Sequence, residues 1–201
     1  MLMGDQTQSN LFRITTEKVG DHWQGAVMPF MDGLESGVMR PLFLKDGSLL
    51  LGQTGRGWQA KGGHVASLQH IKWDGKTIAP AIKNVTATAT GFAVEFTQPL
   101  TNKPTAEQLQ NAIKLESWVY RDAPDYGSDE LGLQQEKIKS ISISEDAKQI
   151  RIDLDSLDQP KVHPEQTARV YNINIKSEKW FADAAAETLQ AYYTLYDFGK
   201  K

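Results

Sequence analysis

Apolar and polar residues alternate with a period of two along most of this chain, which is the spacing of half-buried β-strands. After a polar leader, Leu11-Phe12-Arg13-Ile14-Thr15 reads as a strand that ends near Gly20-Asp21. His22 to Phe30 is a second extended piece, expected to be broken by Pro29 and closed by the Asp32-Gly33 turn. The clearest local signal is the stretch Gly37 to Trp58, GVMRPLFLKDGSLLLGQTGRGW. Two apolar runs flank Lys45-Asp46-Gly47-Ser48, and Asp-Gly in that position predicts a tight hairpin because glycine takes positive φ without steric cost. Pro41 lies inside the first run, so either that strand begins at Leu42 or Pro41 sits where no ladder donor is needed. Ala66 to Trp73 alternates again and stops at Asp74-Gly75. Joined by short turns, these strands are expected to form one antiparallel sheet of about 75 residues.

The pattern changes after Gly75, where Thr77 to Pro80 reads as a short link. The expected organisation is therefore a sheet over residues 1–75 and a second domain over 76–201. In the latter, Ile82 to Thr88 and Phe92 to Thr97 alternate about Thr90-Gly91. Thr105 followed by Gln108 has the spacing of a capping box and predicts a short helix ending near Ile113. Further strands are expected at Leu115 to Tyr120, Ile138 to Ser144, Gln149 to Leu154, Ala168 to Ile175 and Ala191 to Tyr196. Arg121 to Leu133 reads as an acidic loop and Ser144 to Ala147 as a turn. Short strands at this spacing, without a βαβ rhythm, predict an all-β protein whose second part is an immunoglobulin-like β-sandwich.

Composition narrows the function classes. A net charge of -3, with lysines and acids interspersed, gives no electrostatic case for nucleic acid or an anionic membrane. No apolar run approaches the roughly 20 residues that span a bilayer, so no membrane insertion is expected. The start, MLMGDQTQSN, lacks the basic-then-apolar order of a signal peptide. With no cysteine in the chain, disulfides, thiolate metal sites and a cysteine nucleophile are excluded.

SGVMRPLFLKDGSLLLGQTGRGW, preceded by HWQGAVMPF and followed by LQHIKWDGKT, resembles the closing segment of the β-propeller in the glucose/sorbosone dehydrogenase-like superfamily. The likeness extends to large secreted bacterial proteins of the membrane-bound or pyrroloquinoline-quinone type. In those the segment runs into a domain with the style of GFAVEFTQPL, ESWVYRDAPDYGS, ISISEDAKQIRIDLDSL and AYYTLYDF. The resemblance implies a last propeller blade followed by an immunoglobulin-like domain, in a periplasmic or extracellular protein. A complete propeller of this kind holds pyrroloquinoline quinone and calcium on earlier blades; none of those blades is in this chain, so no cofactor is expected here. Arg40 falls near the arginine-rich strand start of such blades, and His70 stands where related proteins carry arginine.

Arg40, Gln53, Arg56, Trp58 and His64 are the candidate ligand-binding residues, expected to gather at one end of the first sheet. An aromatic with a guanidinium beside it, on glycine-opened backbone, suits a sugar or planar cofactor; the competing reading has Trp58 merely covering the core. Asp122, Asp125, Asp129 and Glu130 crowd one loop as calcium ligands can, but the spacing fits no EF-hand and such residues are common in any exposed turn, so a solvated loop is the favoured reading. Asp153 and Asp155 share the parity of one strand face, where paired carboxylates can do acid/base work or simply face water. His22, His64, His70 and His163 show no metal-ligand spacing, and Asn84-Val85-Thr86 forms an isolated glycosylation sequon. Three functions follow as expectations. The first is a non-catalytic structural or interaction module contacting carbohydrate, the second a free-standing carbohydrate-binding module, and the third a quinone-dependent sugar oxidoreductase completed by a second chain or missing blades. A lone blade leaves an apolar face uncovered, so a homo-oligomer or further blades are expected as partners.

Overall fold

A computed structural model describes residues 1–102, 104–121, 124, 127–156, 168–177, 180–182 and 188–196. The protein is all-β, with antiparallel sheets and a single short helix among the described residues. Its chain divides into two compact units, Met1–Ile14 with Val27–Ile78, and Thr15–Ala26 with Ala79–Lys201.

The first unit contains β1 (Leu2–Asp5), the first part of β2 (Asn10–Val19), the last part of β3 (His22–Met31), and β4 (Val38–Phe43), β5 (Leu49–Thr54) and β6 (Ala66–Ile71). The expectation of one sheet over this region is corrected. β4, β5 and β6 form a separate three-stranded sheet in that order, while β1 pairs with β2 in another. Alternation reveals which face of a strand is buried but not which strand lies beside it, and the four-residue β1 is too short for its alternation to stand out from the polar leader. β3 also continues through Pro29 to Met31, because Pro29 is exposed and proline is tolerated where the ladder needs no donor. Pro41 is accommodated similarly: it pairs opposite Leu51 on β4, an end strand of its sheet.

The hairpin between β4 and β5 forms as the Asp-Gly signal predicts. Gly47 has φ +82°, the Gly47 amide donates to the Leu44 carbonyl at 3.0 Å, and the Ser48 hydroxyl donates to the Asp46 carboxylate at 2.6 Å. That bond, reinforced by the Ser48 amide, holds the Asp46 carboxyl below the usual carboxylate range. Leu11, Leu34, Val38, Leu49 and Leu51 form the buried cluster of this unit, with Leu2, Met31 and Ile71 packed against it. On the opposite face of the three-stranded sheet, Leu42 and Leu68 are exposed across from Leu50 and Gly52.

The second unit adds β7 (Ile82–Thr88), β8 (Gly91–Phe96), α1 (Ala106–Ala112), β9 (Ile113–Tyr120), β10 (Glu130–Gln135), β11 (Ile138–Ile143), β12 (Gln149–Leu154), β13 (Arg169–Lys176) and β14 (Thr188–Leu195). One sheet has the order β11-β12-β8-β7; in the other, strands run β3-β14-β13-β9-β10. The faces meet where the Phe92 ring of β8 lies 4.9 Å from Tyr171 of β13 and 5.2 Å from Tyr193 of β14, the packing of a β-sandwich. The helix starts at the expected capping box, with Thr105 accepting from the Gln108 amide and Gln108 reaching back to the Thr105 amide. Arg121 to Leu133, expected as loop, contains the start of β10; its Gly132 takes φ +61° and the pairing with β9 slips between Leu131 and Gln134, which hides the alternation.

Candidate ligand-binding groove

The loop after β5 builds a cavity of about 610 Å³ within the first unit. Its walls include Thr7, Gln8, Trp58, Lys61, His64 and Val65. Backbone hydrogen bonds fix the loop: the Gly55 amide donates to the Val65 carbonyl at 2.8 Å, Gly63 to Ala60 at 3.0 Å and Lys61 to Thr7 at 2.8 Å. The last of these joins the loop to the turn after β1, where the Asp5 carboxylate accepts from the Thr7 and Gln8 amides at 2.7 and 2.8 Å. Glycine is required at Gly62, since a Cβ there would lie 2.2 Å from the Leu34 carbonyl oxygen. Close backbone approach thus explains part of this glycine cluster.

Trp58 stands 44% exposed at the cavity, its indole N–H donating to the Gln6 carbonyl at 3.4 Å. The ring is therefore held at one edge while much of its surface remains free for contact. His64 is exposed; its amide donates to the Glu35 carbonyl at 3.1 Å and its carbonyl accepts from the Ser36 hydroxyl at 2.6 Å. Lys61 is the one charged side chain in the lining, which contains no carboxylate.

The five candidate residues do not all gather here. Trp58 and His64 line the cavity, whereas Arg56 is exposed on the same loop, its amide donating to the Thr54 hydroxyl at 3.1 Å. Arg40 lies on β4 opposite Gly52, exposed, with one guanidinium N–H on the Met39 carbonyl. Gln53 is buried: its side-chain oxygen accepts from the Ser36 amide at 2.7 Å and its amide nitrogen donates to Gln69 at 2.6 Å. That network braces the chain entering the loop, so Gln53 supports the site from behind. Its parity with Leu49 and Leu51 on β5 was the available signal for an inward position. Thr7, Gln8 and Lys61 escaped the sequence reading; Lys61 precedes Gly62-Gly63, but nothing local links Thr7 and Gln8 to a loop some fifty residues away.

The other candidates are dispersed. Asp122, Asp125 and His163 lie outside the described residues, and among those described no three His, Asp or Glu side chains cluster as metal ligands do. Asp153 accepts from the Thr90 hydroxyl, from Arg151 Nε at 3.0 Å and from the Ser140 hydroxyl at 3.0 Å. These bonds, Thr90 first, hold its carboxyl below the usual range. Asp155 falls beyond the end of β12, so the two carboxylates do not share a strand face as expected; the strand stops at Leu154. His22 stacks on Tyr196 at 5.6 Å, His70 Nε2 lies 2.8 Å from the Ser48 hydroxyl, and Asn84 sits within β7. No helix among the described residues is long and apolar enough to cross a membrane.

No family model matches the chain, and neither curated proteins nor solved structures give a significant match.

Proposed function

We propose that this chain is a non-catalytic structural and interaction module of a secreted sugar-dehydrogenase-like protein, and that its first unit contacts carbohydrate through the Trp58 groove. The observation that carries the reading is the half-exposed Trp58 ring on a braced cavity with Thr7, Gln8, Lys61 and His64 around it. An aromatic face stacks on the C–H face of a sugar ring, and hydroxyl, amide and ammonium groups satisfy its hydroxyls. The lining supplies no carboxylate, whereas glycoside hydrolysis ordinarily needs two, so the groove is equipped for binding rather than for that chemistry. The exposed Leu42 and Leu68 support the expectation that a further sheet or a second copy covers the outer face of β4 to β6. The blade-like and immunoglobulin-like descriptions of the two units, and a periplasmic or extracellular location, belong to the same proposal.

Retention of the wild-type protein and Trp58→Ala on a panel of immobilised oligosaccharides tests it. The reading requires at least one glycan that retards the wild type and not the variant, with the melting temperature unchanged. If loss of retention comes only with loss of stability, Trp58 is a packing residue and the groove reading fails.

A further inference from the structure

The second unit contains a charged side chain whose hydrogen-bonding capacity is only partly used. Arg169 opens β13 and is fully buried, on the strand parity of Tyr171, Ile173 and Ile175. Its Nη1 donates to the Ser117 hydroxyl at 2.9 Å and to the Gly132 carbonyl at 3.4 Å. Ser117 in turn donates to the Glu136 carboxylate, which also accepts from the Gln134 amide at 2.8 Å. Glu136 therefore reaches the guanidinium only through Ser117 and on the Nη1 side. Among the described residues, neither Nε nor Nη2 of Arg169 has an acceptor.

Those two atoms are not an arbitrary pair. Nε–H and the adjacent Nη2–H point the same way from one edge of the planar guanidinium, the fork that grips two oxygens of a carboxylate or oxyanion. Buried N–H groups are almost always satisfied, and an uncompensated buried charge is among the costliest defects a fold can carry. Arginine remains protonated under all ordinary conditions, so neutralisation offers no escape. We propose that the Nε/Nη2 edge of Arg169 holds a two-oxygen anionic group, a carboxylate or small oxyanion, inside the second unit. A diffusible anion and a carboxylate carried by the chain present the same acceptor geometry, and the experiment separates the two sources.

The full-length chain, labelled with ¹⁵N-arginine, distinguishes the outcomes. The Arg169 Nε–H resonance is identified by its disappearance in Arg169→Lys. Sodium formate and inorganic phosphate are then titrated in separately, against sodium chloride at the same ionic strength. For a diffusible anion, the resonance moves downfield on titration. The thermal midpoint then rises by roughly 5 °C at a hundredfold excess over half-saturation, and Arg169→Lys loses that response. For a carboxylate of the chain, the resonance is downfield and protected from exchange before any addition, ignores both probes, and returns upfield as acid protonates its partner. Either pattern supports the proposal. A resonance that exchanges as fast as that of an exposed arginine and responds to neither probe overturns it.

Discussion

The two units differ in what their cores are built from. In the second, Phe92, Phe96, Tyr171 and Tyr193 are buried, with Phe92 wedged between the two tyrosines and Phe96 edge-on to Phe181 at 5.5 Å. The first unit's buried cluster is wholly aliphatic, while Phe30, Phe43, Trp58 and Trp73 are exposed. Large rings give the greatest burial per residue, so placing them inside makes a stable scaffold, and placing them outside forgoes stability for contact surface. The second unit also exposes Trp23, Tyr120 and Tyr196, so the contrast lies in the cores, and it fits the proposal that the first unit does the recognition.

The largest effect is expected where the aromatic core is cut. Phe92→Ala should lower the free energy of unfolding in urea by about 4 kcal/mol, because it removes a ring that meets two others. Leu51→Ala, at the fully buried centre of the aliphatic cluster, should cost about 3 kcal/mol by the same measurement. If the order of the two were reversed, the contrast between the cores would lose its energetic meaning. Thr105→Ala breaks the capping box and should cost about 1 kcal/mol, with Thr105→Ser recovering most of it.

A pH profile gives a smaller effect. Asp153 is held below its ordinary range in the folded state, so its bonds to Thr90, Arg151 and Ser140 contribute stability above the unfolded value, near 3.9, and that contribution fades as pH falls through the lower folded value. Asp153→Asn should therefore be less stable than wild type at pH 6, with the gap narrowing below about pH 4. A constant gap across that range would assign the loss to packing instead of ionisation. The smallest change in stability is expected from Trp58→Ala, within about 0.5 kcal/mol, since the ring is half-exposed and held by one long hydrogen bond.

How much of this was legible depended on how local each signal was. The Asp46-Gly47 turn and the Thr105/Gln108 capping box are decided within four residues and formed as read. Which strands become neighbours is decided by distant chain segments. Nothing near His22 announces that β3 will lie beside β14, or that residues 15–26 will belong to the second unit. The groove shows the same division. Trp58 and His64 could be found on one glycine-rich loop, but Thr7 and Gln8 enter through the Lys61 to Thr7 backbone bond, which leaves no trace in either segment. Gln53 and Arg169 share a third lesson. Both are polar residues at inward parity, between Leu51 and the loop in one case and before Tyr171 in the other, and parity alone marks them as groups whose partners must be found.

The division of labour between the units is tested most directly by the tryptophan indole N–H resonances of the ¹⁵N-labelled protein during titration with an oligosaccharide that retards it. The account predicts that the resonance missing from Trp58→Ala shifts saturably while those of Trp23, Trp118 and Trp180 in the second unit stay in place. A titration that moves a second-unit tryptophan and leaves Trp58 unmoved would contradict it.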